Sequence, residues 1–457
     1  MRWGAATPGD GSVAPRVSAP RDIVEAPPVT ERRFSRRARL PDALTRSESG
    51  KAAGLAAASL ANNAIQLVFT VVFTRLLGAT GYGTLAALVS TFLILMVVGQ
   101  AVQTAAAREA ALDRLGHPEL LRATLRAWTQ RLLVALIVVA GVSALLRDQF
   151  AAIIGVDDVP WAAAAIPVSG VLWMLVCLQR GALLGLRVYQ PVGISIVGDA
   201  AGRLLFGLVL FGVGLGVTGA YLGAPVTFAV VALWLERELH HRVAPVGGDH
   251  GKVRTLRSLV GDGWAPIVGL LLLAVLQNID VIVAKHRFSG DEAGSYAAAA
   301  VAAKAVVWVA IGIGLHLLPE SARRAAEGRD PRRVLLRAFA MVAVIAAPAL
   351  LIFAVVPETL LRIAFGPDLT AAADALLPLG LAMTLLAIAY LTVQYLVALH
   401  HTKFLWALGA VAIAEPILLT TGNESLVGFA SIVLGVQFVA VVSVLFFGLR
   451  ARGRAEQ

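Results

Sequence analysis

The sequence predicts an all-α polytopic membrane protein with about twelve transmembrane helices in two pseudo-symmetric six-helix bundles. Three observations predict it: an apolar excess no soluble globule can hide, a series of span-length apolar runs, and a lopsided sorting of cations between the loops. Of 457 residues, 58% are hydrophobic and 15% charged, with mean hydropathy +0.78, so lipid must be the solvent for most of the chain.

A helix needs roughly 20 mostly apolar residues to cross the hydrocarbon. Such runs lie near 52–75, 81–106, 125–146, 160–182, 191–213 and 218–236, then near 261–285, 294–318, 336–357, 371–399, 403–421 and 426–448. The fifth and sixth are separated only by the Gly-rich stretch Gly212–Gly219, and an eleven-span count would put the termini on opposite sides.

Lys and Arg near span ends stay cytoplasmic. With the amino terminus inside, the inside segments hold 32 cations and the outside loops five: Arg75, Arg147, Lys285, Arg287 and Arg362. Both termini are therefore expected in the cytoplasm. The net charge of +10 reads as a topology signal plus a basic tail, with no nucleic-acid function in it.

The expected organisation is a disordered basic cytoplasmic tail over 1–50, a first bundle over 51–240, a cytoplasmic linker over 241–260, a second bundle over 261–449 and a short tail over 450–457. Residues 1–50 lack the apolar stretch of a signal peptide. Their cluster Arg32, Arg33, Arg36, Arg37 and Arg39 can lie on anionic headgroups or be a plain solvated extension. The single cysteine, Cys177, excludes an intrachain disulfide and reads as core packing.

Chemistry-bearing motifs are absent. Gly247 to Lys252 has the wrong spacing for a phosphate cradle and lacks the hydroxyl. A G-x-G-x-x-G match at Gly214, Gly216 and Gly219 follows a membrane span and no strand, so it is a chance match in a turn. The pairs His240–His241 and His400–His401 sit at span ends, where neighbouring histidines point about 100° apart, which does not suit a shared metal. No enzyme activity, cofactor or metal is expected, and gradient-driven transport becomes the leading class.

The two halves repeat one plan. Arg75, Gly78, Gly81 and Tyr82 join the first two spans as Lys285, Gly290, Gly294 and Tyr296 join the seventh and eighth. Gly193 precedes Asp199 by six residues, and Gly409 precedes Glu415 by six. Six spans per half give both halves one orientation, related by an axis along the membrane normal, with a substrate site expected at their shared face.

Ionisable groups inside a bilayer are expensive and mark internal cavities or pairs. Asp199 and Arg203 share one face of the fifth span, which fits either a closed salt bridge or a substrate contact. Lys304 has no acid three or four residues away, so its partner is a ligand or another span, with Asp280 the nearest candidate. Amides extend the set: Asn62, Asn63 and Gln66 with Thr70 and Thr74 on the first span, Gln100 and Gln103 with Thr104 on the second, and Gln277 and Asn278 on the seventh. Helix-to-helix hydrogen bonding explains many of these without a substrate, but the set across both halves fits a hydrated path. Fixed cations suit an anionic group such as phosphate, and amides suit sugar hydroxyls. Asp199, Asp280 and Glu415 can take up H⁺ or Na⁺ and couple the cycle to a gradient.

These features resemble the oligosaccharide-flippase branch of the MOP superfamily, the Wzx-type polysaccharide biosynthesis transporters, over about 50–450. The likeness rests on Phe73-Thr-Arg-Leu-Leu-Gly-Ala-Thr-Gly-Tyr-Gly83, on Gln277-Asn-Ile-Asp280 with Lys285-His286, and on Gly181-Ala-Leu-Leu-Gly185. The resemblance implies a MATE-like pair of bundles alternating between inward and outward openings in the bacterial cytoplasmic membrane. It implies a polyprenyl-(pyro)phosphate-linked glycan as substrate, glycan polymerases or glycosyltransferases as partners, and a monomer. Arg203 and Lys304 become head-group contacts, with Arg75 and Lys285 at the outer mouth. The related lipid II flippases usually have fourteen spans, and multidrug exporters carry a first-span carboxylate that is an amide region here. A cation-coupled drug or metabolite exporter and a non-transporting membrane scaffold are the competing readings.

Overall fold

The computed structural model describes residues 48–111, 118–242, 264–327, 332–422 and 425–450, and every element among them is helical. The tail expected over 1–50 falls outside the described residues except for its last three, as do nearly all of the linker expected over 241–260 and residues 451–457.

The first element, α1 (Glu48–Ala111), is 64 residues long, about 96 Å at 1.5 Å per residue and far longer than a bilayer core of about 30 Å. It is two crossings. Gly78, at φ 66° and ψ −174°, breaks it into limbs at 48–77 and 79–111, because only a residue without Cβ takes that conformation without strain. Next come α2 (Pro118–Leu145), the short α3 (Arg147–Ile154), α4 (Pro160–Gly185) and α5 (Tyr189–Leu210). A π-type turn at Phe211–Leu215 leads into α6 (Gly216–Arg242). Positive φ at Gly214 (91°) and Gly216 (52°) turns the chain there, so the apparent nucleotide-binding glycines serve a bend between two spans.

The second half runs α7 (Trp264–Arg287), α8 (Gly290–Ala326), α9 (Arg332–Val355), the short α10 (Pro357–Ala364), α11 (Leu376–Ala398), α12 (Phe404–Thr421) and α13 (Leu426–Arg450). Ten stretches among the described residues are long and apolar enough to cross a membrane. Two of them, of 58 and 54 residues, are the pairs broken at Gly78 and at Gly214 to Gly216, which makes twelve crossings. Side chains such as Ile137, Val138, Val344 and Leu351 stay exposed on α2 and α9, where lipid tails are their solvent.

The internal repeat extends to the loops. The eight-residue helices α3 and α10 stand at matching places, each followed by a positive-φ glycine, Gly155 or Gly366. After α4, the Arg187 amide bonds to the Leu184 carbonyl and the Val188 amide to the Leu183 carbonyl; after α11, His400 and His401 do the same with Val397 and Leu396. Arg187 (φ 60°) and His400 (φ 59°) are the two non-glycine residues with positive φ among the described residues. That conformation is uncommon outside glycine, so its recurrence at matched turns marks a shared plan.

Each half has its own apolar core. Phe73, Trp128, Cys177 and Leu235 belong to one cluster, and Tyr296, Phe353, Tyr395 and Phe429 to the other. The start of the second limb of α1 crosses over: Ala79, Tyr82 and Ala86 pack in the second cluster. Close contacts between the halves gather at this Gly78 end. There Thr80 Oγ1 donates to Asp291 Oδ1 at 2.6 Å, and His286 Nε2 lies 2.9 Å from the Ile153 carbonyl oxygen.

Candidate transport site

The first-half site is built where α4 and α5 pack. Asp199, on α5, is 3% exposed, and a buried carboxylate needs partners. It has two cations. Arg203, one turn on, places Nε 3.0 Å from Asp199 Oδ1, and Arg180 of α4 places a terminal nitrogen 3.7 Å from Oδ2. Arg180 also donates to Ser195 Oγ and to the Ser195 carbonyl, both at 2.8 Å, and its guanidinium lies 5.3 Å from the Trp173 ring centroid. Arg203 lies 6.0 Å from the Phe228 ring centroid. Side-chain exposure separates their roles: Arg180 is 4% exposed and Arg203 20%. Arg180 is the enclosed strut, and Arg203 is the cation that still reaches an open surface.

Arg180 lies inside the span ending near 182, yet the positive-inside reading groups it with the cytoplasmic loop cations. It escaped because its partner is 19 residues away on another helix. Its distance from the span end was the one available signal.

The second-half site lies within α7, α8, α12 and α13. Lys304 Nζ is 4.0 Å from Asp280 Oδ1 and donates to Asn278 Oδ1 at 3.2 Å. Asn278 in turn donates to the Ala274 carbonyl. Tyr296 donates its hydroxyl to Asp280 Oδ2 at 3.0 Å. Gln437, absent from the sequence-derived set, donates to the Leu276 carbonyl at 2.9 Å and to Glu415 Oε1 at 3.4 Å. Asp280 Oδ1, Glu415 Oε2 and Gln437 Oε1 are buried without hydrogen-bond partners. Pro416 follows Glu415 inside α12 and supplies no amide hydrogen to the carbonyl four residues back, so the helix is weakened beside the acid.

The pairing of Lys304 with Asp280 agrees with the sequence. Its enclosure differs from expectation: the two side chains are 5% and 0% exposed, so they sit inside the second half and not on an open wall. Their partners come from two different helices, α7 and α8, an arrangement that no single-helix periodicity reveals. Glu415 is likewise fully buried.

The amides divide. Asn62 donates to Asn63 Oδ1 at 3.2 Å, Gln66 is exposed, and Thr70 bonds back to the Gln66 carbonyl. At about 100° per residue, Asn63, Gln66 and Thr70 form a strip between the face carrying Ala58, Phe69 and Phe73 and the face carrying the exposed Leu60, Leu67 and Val68. Gln103 and Gln277 are half-buried and Asn278 is buried. Arg75 is exposed and Lys285 half-buried, near the Gly78 end. No group of three or more His, Cys, Asp or Glu among the described residues is arranged to hold a metal.

The sequence of residues 51–323 matches the polysaccharide biosynthesis protein family, more than half of the chain. The chain belongs to this family. Among solved structures, this polysaccharide biosynthesis protein is similar to an inward-facing multidrug-resistance MATE transporter of the MOP superfamily, with TM-score 0.69, 12% identity, 85% of this chain and 94% of that chain covered. It is similar to the lipid II flippase MurJ in an inward closed conformation, with TM-score 0.67, 12% identity and 87% of each chain covered. An outward-facing MATE transporter gives TM-score 0.53 at 12% identity, covering 90% of this chain and 96% of that one. At these identities the likeness establishes a shared fold. No curated protein matches the chain.

Within this family member the halves differ in where their buried charges sit: the first half places Arg180, Asp199 and Arg203 on α4 and α5, and the second places Asp280, Lys304 and Glu415 on α7, α8 and α12.

Proposed function

We propose that this polysaccharide biosynthesis protein is a Wzx-type flippase. It moves a polyprenyl-phosphate or pyrophosphate-linked oligosaccharide across the bacterial cytoplasmic membrane, with both termini cytoplasmic. The observation that carries the reading is the Arg180–Asp199–Arg203 cluster: two guanidiniums share one carboxylate, so a net positive group with an accessible Arg203 lies within a span of a polysaccharide biosynthesis family member.

Magnitudes support the division of labour. A unit charge 4 Å from an anion gains about 4 kcal/mol at an effective dielectric of about 20, whereas one neutral hydrogen bond contributes about 1 kcal/mol net. Phosphate contact therefore dominates affinity, and Asn62, Asn63, Gln66, Gln103 and Gln277 select among sugar hydroxyls. Extracting a prenyl chain from lipid costs about 0.8 kcal/mol per CH₂, so the tail stays in the membrane while the head group passes between the halves. Arg75 and Lys285 meet it at the outer mouth, an end assigned by the 32-to-five sorting of cations.

In this reading the enclosed second-half cluster couples the cycle. Glu415 and Asp280, with unpartnered oxygens, take up H⁺ or Na⁺, and Lys304 responds to the change in charge. Glycosyltransferases and polymerases supply and consume the glycan, and the protein acts as a monomer. The test is Arg203→Ala in correctly inserted protein. Surface glycan is expected to fall while lipid-linked precursor accumulates on the cytoplasmic side; undiminished glycan output would remove Arg203 from the site.

A further inference from the structure

A cavity of about 550 Å³ lies between α8 and α9, apart from the two charged clusters. Its walls are two helical stripes. Ile313 and Leu317 come from α8, and Val334 and Met341 from α9. Its charged end is formed by Glu320, Arg323 and Arg337. The apolar end continues onto membrane-facing surface, since Met341 is 55% exposed and Val344, one turn on, 72%.

Charge at the mouth is unbalanced. Arg323 and Arg324 both bind the Glu320 carboxylate, at 2.8 and 2.7 Å. Hydrogen bonds from Arg324 and then Arg323 hold that carboxyl below its usual range, so it stays an anion already shared between two cations. Arg337, on the same cavity, has no acidic partner among the described residues. Arg333, one turn earlier and exposed, adds a further positive charge. The mouth therefore has spare positive charge beside an apolar trough about 10 Å long, the rise between Ile313 and Glu320 at 1.5 Å per residue.

Water suits neither wall of that trough, and a free anion would leave the apolar wall uncovered. We infer that the α8–α9 groove binds an anionic glycerophospholipid, its phosphate between Arg323 and Arg337 and an acyl chain along Ile313, Leu317 and Met341. The phosphate completes the charge balance that Glu320 leaves open, and the chain covers apolar surface continuous with the bilayer. Basic recesses between transmembrane helices bind anionic headgroups by this combination. The site is separate from the proposed glycan path, because its cations are neither Arg203 nor Lys304.

The test is native mass spectrometry of the full-length protein released from nanodiscs containing equal phosphatidylglycerol and phosphatidylcholine. One phosphatidylglycerol is expected to be retained in preference to phosphatidylcholine. The double variant Arg323→Ala/Arg337→Ala should weaken that retention about 30-fold, since each basic side chain near an anionic lipid contributes about a factor of five. Met341→Trp, which fills the trough and keeps every charge, should also displace the lipid, while Arg203→Ala should leave it bound. Equal retention of both lipids, or retention unchanged in both groove variants, would overturn the site. Retention of inorganic phosphate but of neither phospholipid would show an anion site without a lipid, and retention of added undecaprenyl phosphate in place of phosphatidylglycerol would make the occupant the carrier lipid; either result overturns the assignment.

Discussion

Gly83 and Gly294 pack backbone to backbone where α1 crosses α8. A Cβ on Gly83 would lie 2.9 Å from the Gly294 amide nitrogen, and a Cβ on Gly294 would overlap the Ala79 carbonyl oxygen. Small residues permit this closeness between membrane helices, and here they close one end of the molecule.

Gly294→Leu cannot keep that crossing. The halves are expected to separate at the Gly78 end, uncovering Ala79, which is 6% exposed, and breaking the Thr80 bond to Asp291. An Ala79→Cys reporter in purified protein, whose own Cys177 is buried, should label with maleimide several-fold faster when Gly294→Leu is added. Unchanged labelling in a folded protein would mean that the crossing does not hold this end shut.

Lys304→Met should destabilise the protein by about 3–5 kcal/mol, because it strands Asp280 in a dry site. Adding Asp280→Asn removes the stranded charge and should restore most of that loss without restoring transport. Thermal melting in detergent reads both. Equal melting of the single and double variants would show that the pair is not electrostatically linked.

Arg180 and Arg203 should separate by readout. Arg180→Ala removes the enclosed partner and both Ser195 bonds, and a loss of about 3 kcal/mol is expected. Arg203→Ala should melt near the parent while glycan transfer drops. Arg203→Lys, which keeps charge but loses the planar fork, should recover part of the transfer. A matching stability loss in both alanine variants would make Arg203 a structural residue.

Glu415→Gln keeps an oxygen that can accept from Gln437 but removes the ionisable group. Flipping in reconstituted vesicles should then lose its response to an imposed proton gradient while the protein stays folded. A retained response would place coupling elsewhere, with Asp280 the next candidate.

Much of the architecture was legible because it is local. Span length and the six-residue spacing of Gly193 to Asp199 and Gly409 to Glu415 are properties of nearby residues in one stretch of chain. The glycine breaks at Gly78 and Gly214 to Gly216 were visible as turn composition. Arg180 and Gln437 were not singled out, since each meets its partner across a helix pair.

Sequence by itself determined that the chain spans a membrane repeatedly, that its halves share a plan, and that Asp199, Arg203, Asp280, Lys304 and Glu415 lie within spans. These follow from transfer energies and helix period, which act residue by residue. Tertiary structure decided which charges are enclosed and which stay reachable. Enclosure depends on which helices pack over a side chain, so Lys304 is buried at 4% exposure while Arg203, on a similar span, remains partly open at 20%.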